Sequence, residues 1–224
     1  MESKKDIIFG DWGVISYCDA YKKQRNLFDI RVSARQNNEE PPCDTWVFCE
    51  HLPVVTIGQH GNRKNLLYSS DCLREKGVDF YATDRGGDVT FHGRGQCVCY
   101  PLFDLERREM GLRRYVELLE EVVIRTVAEY GITAGRLKGA SGVWIEPDTP
   151  YERKICAVGI RSSRYITMHG IALNVNTDLS YFSLINPCGF ADKGVTSIEK
   201  EIGRQVSMNE VKANIEKNVL ALFR

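Results

Sequence analysis

The sequence predicts one α/β domain, with strands mostly in antiparallel hairpins and a few helices packed against them. Three observations carry that expectation. Short apolar or alternating runs of strand length recur through most of the chain. One long stretch, Leu112 to Tyr130, keeps an apolar face at helical spacing until Gly131 stops it. No linker, repeat or low-complexity tract divides the 224 residues, so residues 1–224 are expected to form a single domain.

Taken in order, Ile7 to Phe9 reads as a short strand, followed by Gly10, Asp11, Trp12 and Gly13. From about Ser16 to Ser33, Tyr17, Ala20, Tyr21, Leu27 and Ile30 recur near helical spacing. Asn37 to Pro42 is a polar loop. Trp46 to Cys49 and Val54 to Ile57 are buried strands, with Glu50 to Pro53 turning between them. Gly58 to Lys64 is a polar loop placed to line a pocket. Asp71 to Lys76 is a short helix, and Val78 to Ala82 a strand.

Past the long helix, Val143 to Glu146 is a strand that turns at Asp148 to Tyr151 into a hairpin partner, Lys154 to Ile160. Gly170 to Val175 is a further strand. The last helix runs from Met208 to Phe223, with Ser207 as N-cap and Glu210 three residues later, a capping box.

Composition narrows the function classes. A net charge of zero argues against the broad basic footprint that phosphate neutralisation requires, so no nucleic acid is expected as a partner. The charged first residues lead into no apolar signal segment, and no run is long enough to span a bilayer. No membrane association and a cytoplasmic location are therefore expected. The eight cysteines are scattered, with no Cys-x-x-Cys, and only four histidines are present, so neither a disulfide framework nor a metal site is expected. Most cysteines read as small core residues, and Cys97 and Cys99 share one strand face.

The stretch Arg85, Gly86, Gly87, Asp88, Val89, Thr90, Phe91 and His92 runs on through Gly93, Arg94, Gly95 and Gln96 into a second alternating segment, Gln96 to Leu102. Its glycines let main chain lie against a ligand, which makes this strand–loop–strand unit a plausible floor for an elongated molecule. Glycine-rich hairpins ordinarily carry no ligand, and both readings stand at this point. It is not a phosphate loop, because Gly-Lys-Ser/Thr is missing. Downstream, Lys154 opens a strand, His169 to Asn174 begins another, and Cys188 lies between Pro187 and Gly189. Singly these read equally well as a solvated lysine, a strand and a loop cysteine.

Together they resemble the lipoate-pathway octanoyltransferases, the lipoyl/octanoyl transferase B family. The resemblance rests on Arg85-Gly-Gly-x-x-Thr-Phe-His92-x-x-Gly-Gln96, Lys154-Ile-x-x-x-Gly159, His169-Gly-x-Ala-Leu-Asn174 and Pro187-Cys-Gly189, in the family's order and spacing. It covers the chain from the Trp46 strand to Ile198. It implies the fold shared with lipoate and biotin protein ligases, a mixed, largely antiparallel sheet flanked by helices, also called class II aminoacyl-tRNA synthetase and biotin synthetase-like. Arg94, Cys99 and Cys156 stand where the family often has proline, glycine and alanine.

The resemblance further implies transfer of an octanoyl group from octanoyl-acyl carrier protein to a lysine of a lipoyl domain. The acceptors it implies are lipoyl domains of 2-oxoacid dehydrogenase complexes and the glycine cleavage H protein. Cys188 matches the acyl-thioester nucleophile and Lys154 its partner. Arg85 to His92 match the acyl-binding strand, and Ala157, Val158, Gly159 with Gly170, Ile171, Ala172 match the remaining pocket segments. No cofactor is implied, because one thioester is exchanged for another and then for an amide.

Backbone amides near Gly189 or a Gly170 turn are the candidate oxyanion donors, and His92 and His169 serve either the carbonyl or the loop. Arg107, Arg108, Arg113 and Arg114 read either as a docking patch for acidic carrier domains or as a solvated helix start. Rival readings are an ATP-dependent lipoate–protein ligase, a lipoyl/octanoyl amidotransferase and an inactive carrier-binding module.

Overall fold

Strand β1 (Ile7–Ile15) begins the chain's edge of the main sheet, in a computed structural model that describes residues 7–186 and 194–223. It is nine residues long, well beyond the three expected. Gly13, at φ +62°, does not end the strand but sits in a bulge between Asp11 and Val14, where Asp11 accepts the Gly13 N–H at 2.8 Å. Ser16 then caps helix α1 (Tyr17–Gln36) by accepting the Asp19 N–H at 3.1 Å. Tyr17, Ala20, Gln24, Phe28, Arg31 and Ala34 form its buried face, spaced three and four apart.

The main sheet then takes β2 (Asp44–His51), β6 (Gln96–Leu102), β10 (Ile166–Asn174), β9 (Arg153–Ser163), β8 (Ala140–Ile145) and β7 (Ala134–Leu137), in that spatial order after β1. A short β11 (Gly194–Val195) adds in parallel to β9. The β1–β2 pair is parallel, and the ladders from β2 to β7 are antiparallel. This is the mixed, largely antiparallel sheet the sequence predicts, with β8 and β9 as the expected hairpin. β7 and the short helix α4 (Ile198–Ile202) were not anticipated, since four and five residues carry too little periodicity.

Each strand alternates between two apolar layers. Trp46 and Phe48 of β2, with Cys97 and Cys99 of β6, face helices α3 (Leu112–Ala128) and α5 (Met208–Leu222). Val47, Cys49, Val98 and Tyr100 face α1 instead. The sheet is thus covered on both faces, which explains why β2, β6 and β10 read as near-continuous apolar runs. Ser207 caps α5 as expected, accepting the Glu210 N–H.

A second, three-stranded sheet holds β4 (Asp79–Ala82), β3 (Val54–Ile57) and β5 (Val89–His92), with helix α2 (Ser70–Glu75) beside it. Here the structure corrects the hairpin reading of residues 89–102. β5 pairs with β3 and β6 with β2 and β10, so the turn at Gly93–Gly95 carries the chain from one sheet to the other. Gly95 is needed there, at φ +76° and with Asn176 O only 2.3 Å from where a Cβ would stand.

The arginine patch is also corrected. Arg107 and Arg108 are turned inward, both bonded to the buried carboxylate of Asp44, and Arg108 also donates to Phe223 O at 2.5 Å. Arg113 and Arg114 are exposed but pair with Glu117. Among the described residues, no helix is long and apolar enough to cross a membrane.

Candidate active site

The two sheets meet over a cleft whose floor is laid by three neighbouring strands of the main sheet. Ala172 of β10 is in register with Val98 of β6 and with Ala157 of β9, and Gly170 is in register with Gly159. Val158 and Ile171 also reach the lining. Small residues on two adjacent strands make a trough, walled by Val98 and Tyr100 on the β6 side. Lys154, Ser141 and Val195 stand at its β9 margin.

The roof is the segment from Arg85 to Thr90. Arg85 is 8% exposed, and its guanidinium binds protein rather than facing solvent. Nη2 donates to Thr56 O at 2.8 Å, Thr56 Oγ1 at 2.9 Å and Asp88 O at 2.6 Å, Nη1 to Gly86 O at 3.0 Å, and Nε to Thr56 Oγ1 at 3.2 Å. A planar fork suits this task, because it ties strand β3 to both arms of one loop. The loop is stitched to β9 where Gly86 N donates to Ile160 O at 3.0 Å. Gly159 must be bare there, since a Cβ would stand 3.0 Å from Gly86 O.

Of the residues the sequence singles out, Arg85, Gly87, Asp88, Val89, Thr90 and His92 lie in the cleft wall, together with Lys154, Ala157–Gly159 and Gly170–Ala172. Gly86 and Phe91 do not. Gly86 is the stitch just described, and Phe91 points into the small sheet's own core, stacked on Tyr181 at 4.7 Å. Period-two alternation sends it to the face opposite Thr90 and His92. The Gly58–Lys64 loop does not line the cleft either. It packs behind, where the Asp88 carboxylate accepts from Asn62 N at 3.0 Å and from Asn65 Nδ2.

His92 is buried and neutral, with burial first and the charges of His51 and Arg85 next holding its pKa down to about 3. Gln96 Nε2 donates to Phe91 O and to Asn174 Oδ1, so its Oε1 accepts the His92 Nδ1 proton at 2.8 Å. That leaves His92 Nε2 as acceptor for the Thr56 hydroxyl at 3.4 Å. Asn174 Nδ2 continues the chain to Thr196 O at 2.9 Å. His92 is therefore a brace in a network running from Arg85 to the strand that precedes α4.

His169 is likewise buried, held down to about 3 by desolvation and then by Arg85, Arg161 and Arg25, and its Nε2 proton goes to Asp84 at 2.7 Å. Its φ of +61° puts it in the left-handed region beside Gly170. Gly170 itself is in mid-strand rather than at a turn. Its missing side chain admits β6, since a Cβ would lie 2.0 Å from Cys99 O.

Lys154 packs its ammonium 4.6 Å from the Trp144 ring centroid. Gly142, on the neighbouring strand, must be bare because a Cβ there would stand 2.5 Å from Cys156 O. Cys188, with Pro187 and Gly189, lies outside the described residues. The chain leaves the described part at Asn186, whose N–H donates to Asn65 O at 2.7 Å, and resumes at Gly194 and Val195, in register with Arg153 and Lys154.

Sequence reasoning did not assign Tyr17, Ser141, Tyr100, Phe182 or Val195 to this cleft. Gln96 and Asn174 sat in the motifs and could have been taken. Tyr17 and Ser141 carried no local signal.

Comparison with known proteins gives a consistent result. Residues 24–220 match the lipoyl protein ligase A/B catalytic domain. An octanoyltransferase of Bacteroides fragilis is 53% identical over 211 residues, spanning 94% of this chain and 95% of that one. One of Parabacteroides distasonis is 48% identical, spanning 96% and 97%. Among solved structures, the bipartite lipoate protein ligase of Thermoplasma acidophilum superposes with a TM-score of 0.71 at 16% identity, over 97% of this chain and 84% of that one. Lipoate-protein ligase A bound with ATP gives 0.69 at 14%, over 98% and 85%. These two likenesses speak for the fold alone, which is the ligase-like fold expected.

Proposed function

The chain belongs to the lipoyl protein ligase A/B catalytic family, among its octanoyltransferases, and we propose that it carries an octanoyl group from octanoyl-acyl carrier protein to a lipoyl-domain lysine through Cys188. The observation that most supports a Cys188–Lys154 pair is the register of β11. The chain that carries Cys188 rejoins the sheet directly against Lys154, at the β9 margin of a trough lined by small and apolar residues.

In the first step the Cys188 sulfur attacks the carrier's thioester carbon and Lys154 takes the thiol proton. The carbon–sulfur bond to the carrier breaks, and the departing thiolate recovers that proton from Lys154. In the second step the acceptor lysine amine attacks the acyl-cysteine carbon, the new amide forms, and Cys188 leaves as thiol. The first exchange is nearly isoenergetic and the second is downhill, so no nucleotide or other cofactor enters. Acceptors of the reaction are lipoyl domains of 2-oxoacid dehydrogenase complexes and the glycine cleavage H protein. The reading places the whole of residues 1–224 in one catalytic domain acting in the cytoplasm.

The test is the intact mass of the purified protein after mixing with octanoyl carrier protein in the absence of ATP. One added octanoyl group, released by hydroxylamine and missing in Cys188→Ala, is expected. Acylation of a lipoyl domain only when ATP and free octanoate are supplied would overturn the reading in favour of a ligase.

A further inference from the structure

Tyr17 is the cleft residue whose placement the proposed chemistry leaves unexplained. It opens α1, is 4% exposed and lines the cleft. Its hydroxyl makes no hydrogen bond of ordinary geometry, and the Thr83 hydroxyl lies near enough to act on it. Thr83, the neighbouring hydroxyl, gives its own proton to Ile57 O at 3.1 Å. Tyr100, the other cleft phenol, donates instead to His51 Nε2 at 2.6 Å, and His51 in turn donates from Nδ1 to Ile15 O at 3.0 Å.

The ring is clamped. It lies parallel to His92 at 6.2 Å and 6°, and packs on His51 at 5.4 Å, Tyr81 at 5.4 Å and Tyr21 at 6.3 Å. With neighbours on several sides it cannot swing out of the way of a ligand. It also stands far from Lys154. Lys154 is on β9 and Tyr17 packs on His51 of β2, with β10 and β6 between them. Three strand steps at roughly 4.8 Å each separate the two by about 14 Å.

Resting on the reading given under Proposed function, we infer that Tyr17 is the end stop of the acyl slot and sets its eight-carbon length. An extended eight-carbon chain measures about 9 Å from carbonyl carbon to terminal methyl at ordinary bond lengths. Adding a contact of about 4 Å at its tip fills the span from the Lys154 side to the Tyr17 ring. Two more methylenes would add about 2.5 Å and drive the tip into a ring that cannot yield. Shorter chains fit but leave apolar floor at Val98 and Ala172 uncovered.

The experiment is a competition between octanoyl and decanoyl carrier protein, with both products on a lipoyl domain read by mass in one sample. Wild type is compared with Tyr17→Phe and Tyr17→Leu. Because the ratio comes from a single sample, any loss of folded protein cancels, and a merely structural role would lower both products alike. The decanoyl-to-octanoyl ratio is expected to stay within about twofold of wild type in Tyr17→Phe, which keeps the ring. In Tyr17→Leu it should rise by up to about fifteenfold, the value of two methylenes at about fourfold each. A ratio within about twofold of wild type in Tyr17→Leu overturns the inference while leaving octanoyl transfer intact. Absence of octanoyl transfer by wild type overturns the functional reading and this inference with it.

Discussion

Replacing Arg85 with lysine isolates the work of a guanidinium fork from that of a positive charge. Arg85 spreads five hydrogen bonds over Thr56, Gly86 and Asp88, and three of the acceptors are main-chain carbonyls. A lysine ammonium carries three donors on one atom and cannot reach β3 and both arms of the loop together. At about 1.5–3 kcal/mol for each hydrogen bond to a charged group, losing two of them costs roughly 3–6 kcal/mol. For a domain of this size that lowers the thermal midpoint by roughly 6–24 °C. The loop is also the roof over Gly159, so acyl-enzyme formation should fall at least tenfold even below the new midpoint. Calorimetry and intact-mass acylation, run on the same preparation, read the two effects. A midpoint within about 2 °C of wild type, with full acylation, would refute the claim that the fork holds the roof.

Burial keeps His51 at about 4 and both His92 and His169 at about 3, against 6.5 for an ordinary histidine. The unfolded chain therefore binds protons that the folded chain refuses, so stability is complete above about pH 6.5 and is lost as pH falls towards 4 and then 3. Roughly 1–2 kcal/mol per histidine should be gone by pH 5, visible as a falling urea midpoint; a flat midpoint between pH 7 and 5 would count against it. Gly170→Ala should cost more than about 3 kcal/mol, because the added Cβ meets Cys99 O and Pro101 Cδ and neither belongs to a flexible side chain. A soluble variant with a wild-type urea midpoint would show that β6 and β10 can part. Lys154→Met should abolish self-acylation at neutral pH with little change in thermal midpoint, and an unchanged acylation rate would remove Lys154 from the proton transfer.

Much of the frame was legible one residue at a time. The α5 cap at Ser207, the end of α3 just before Gly131 and the β8–β9 hairpin follow from local chemistry that each segment carries with it. The glycines of the Arg85 segment marked close approach correctly but not what approaches. At Gly86 it is Ile160 of β9, and at Gly95 it is Asn176. Phe91 sat inside a motif yet faces the small sheet's core, because alternation along β5 outranks membership of a motif.

By itself, then, the sequence determined an α/β chain, the positions of its main helices and strands, and a family resemblance from which Cys188 and Lys154 were expected to act as a pair. Only the tertiary structure decided that β5 and β6 part into different sheets, that Arg107 and Arg108 turn inward to Asp44, and that Tyr17 lines the cleft. Caps, turns and periodicity act within a few residues and so can be read along the chain. Sheet partnership and cleft lining depend on contacts between segments tens of residues apart. Those contacts are settled by which apolar faces can be buried together, and no single stretch of the chain records that.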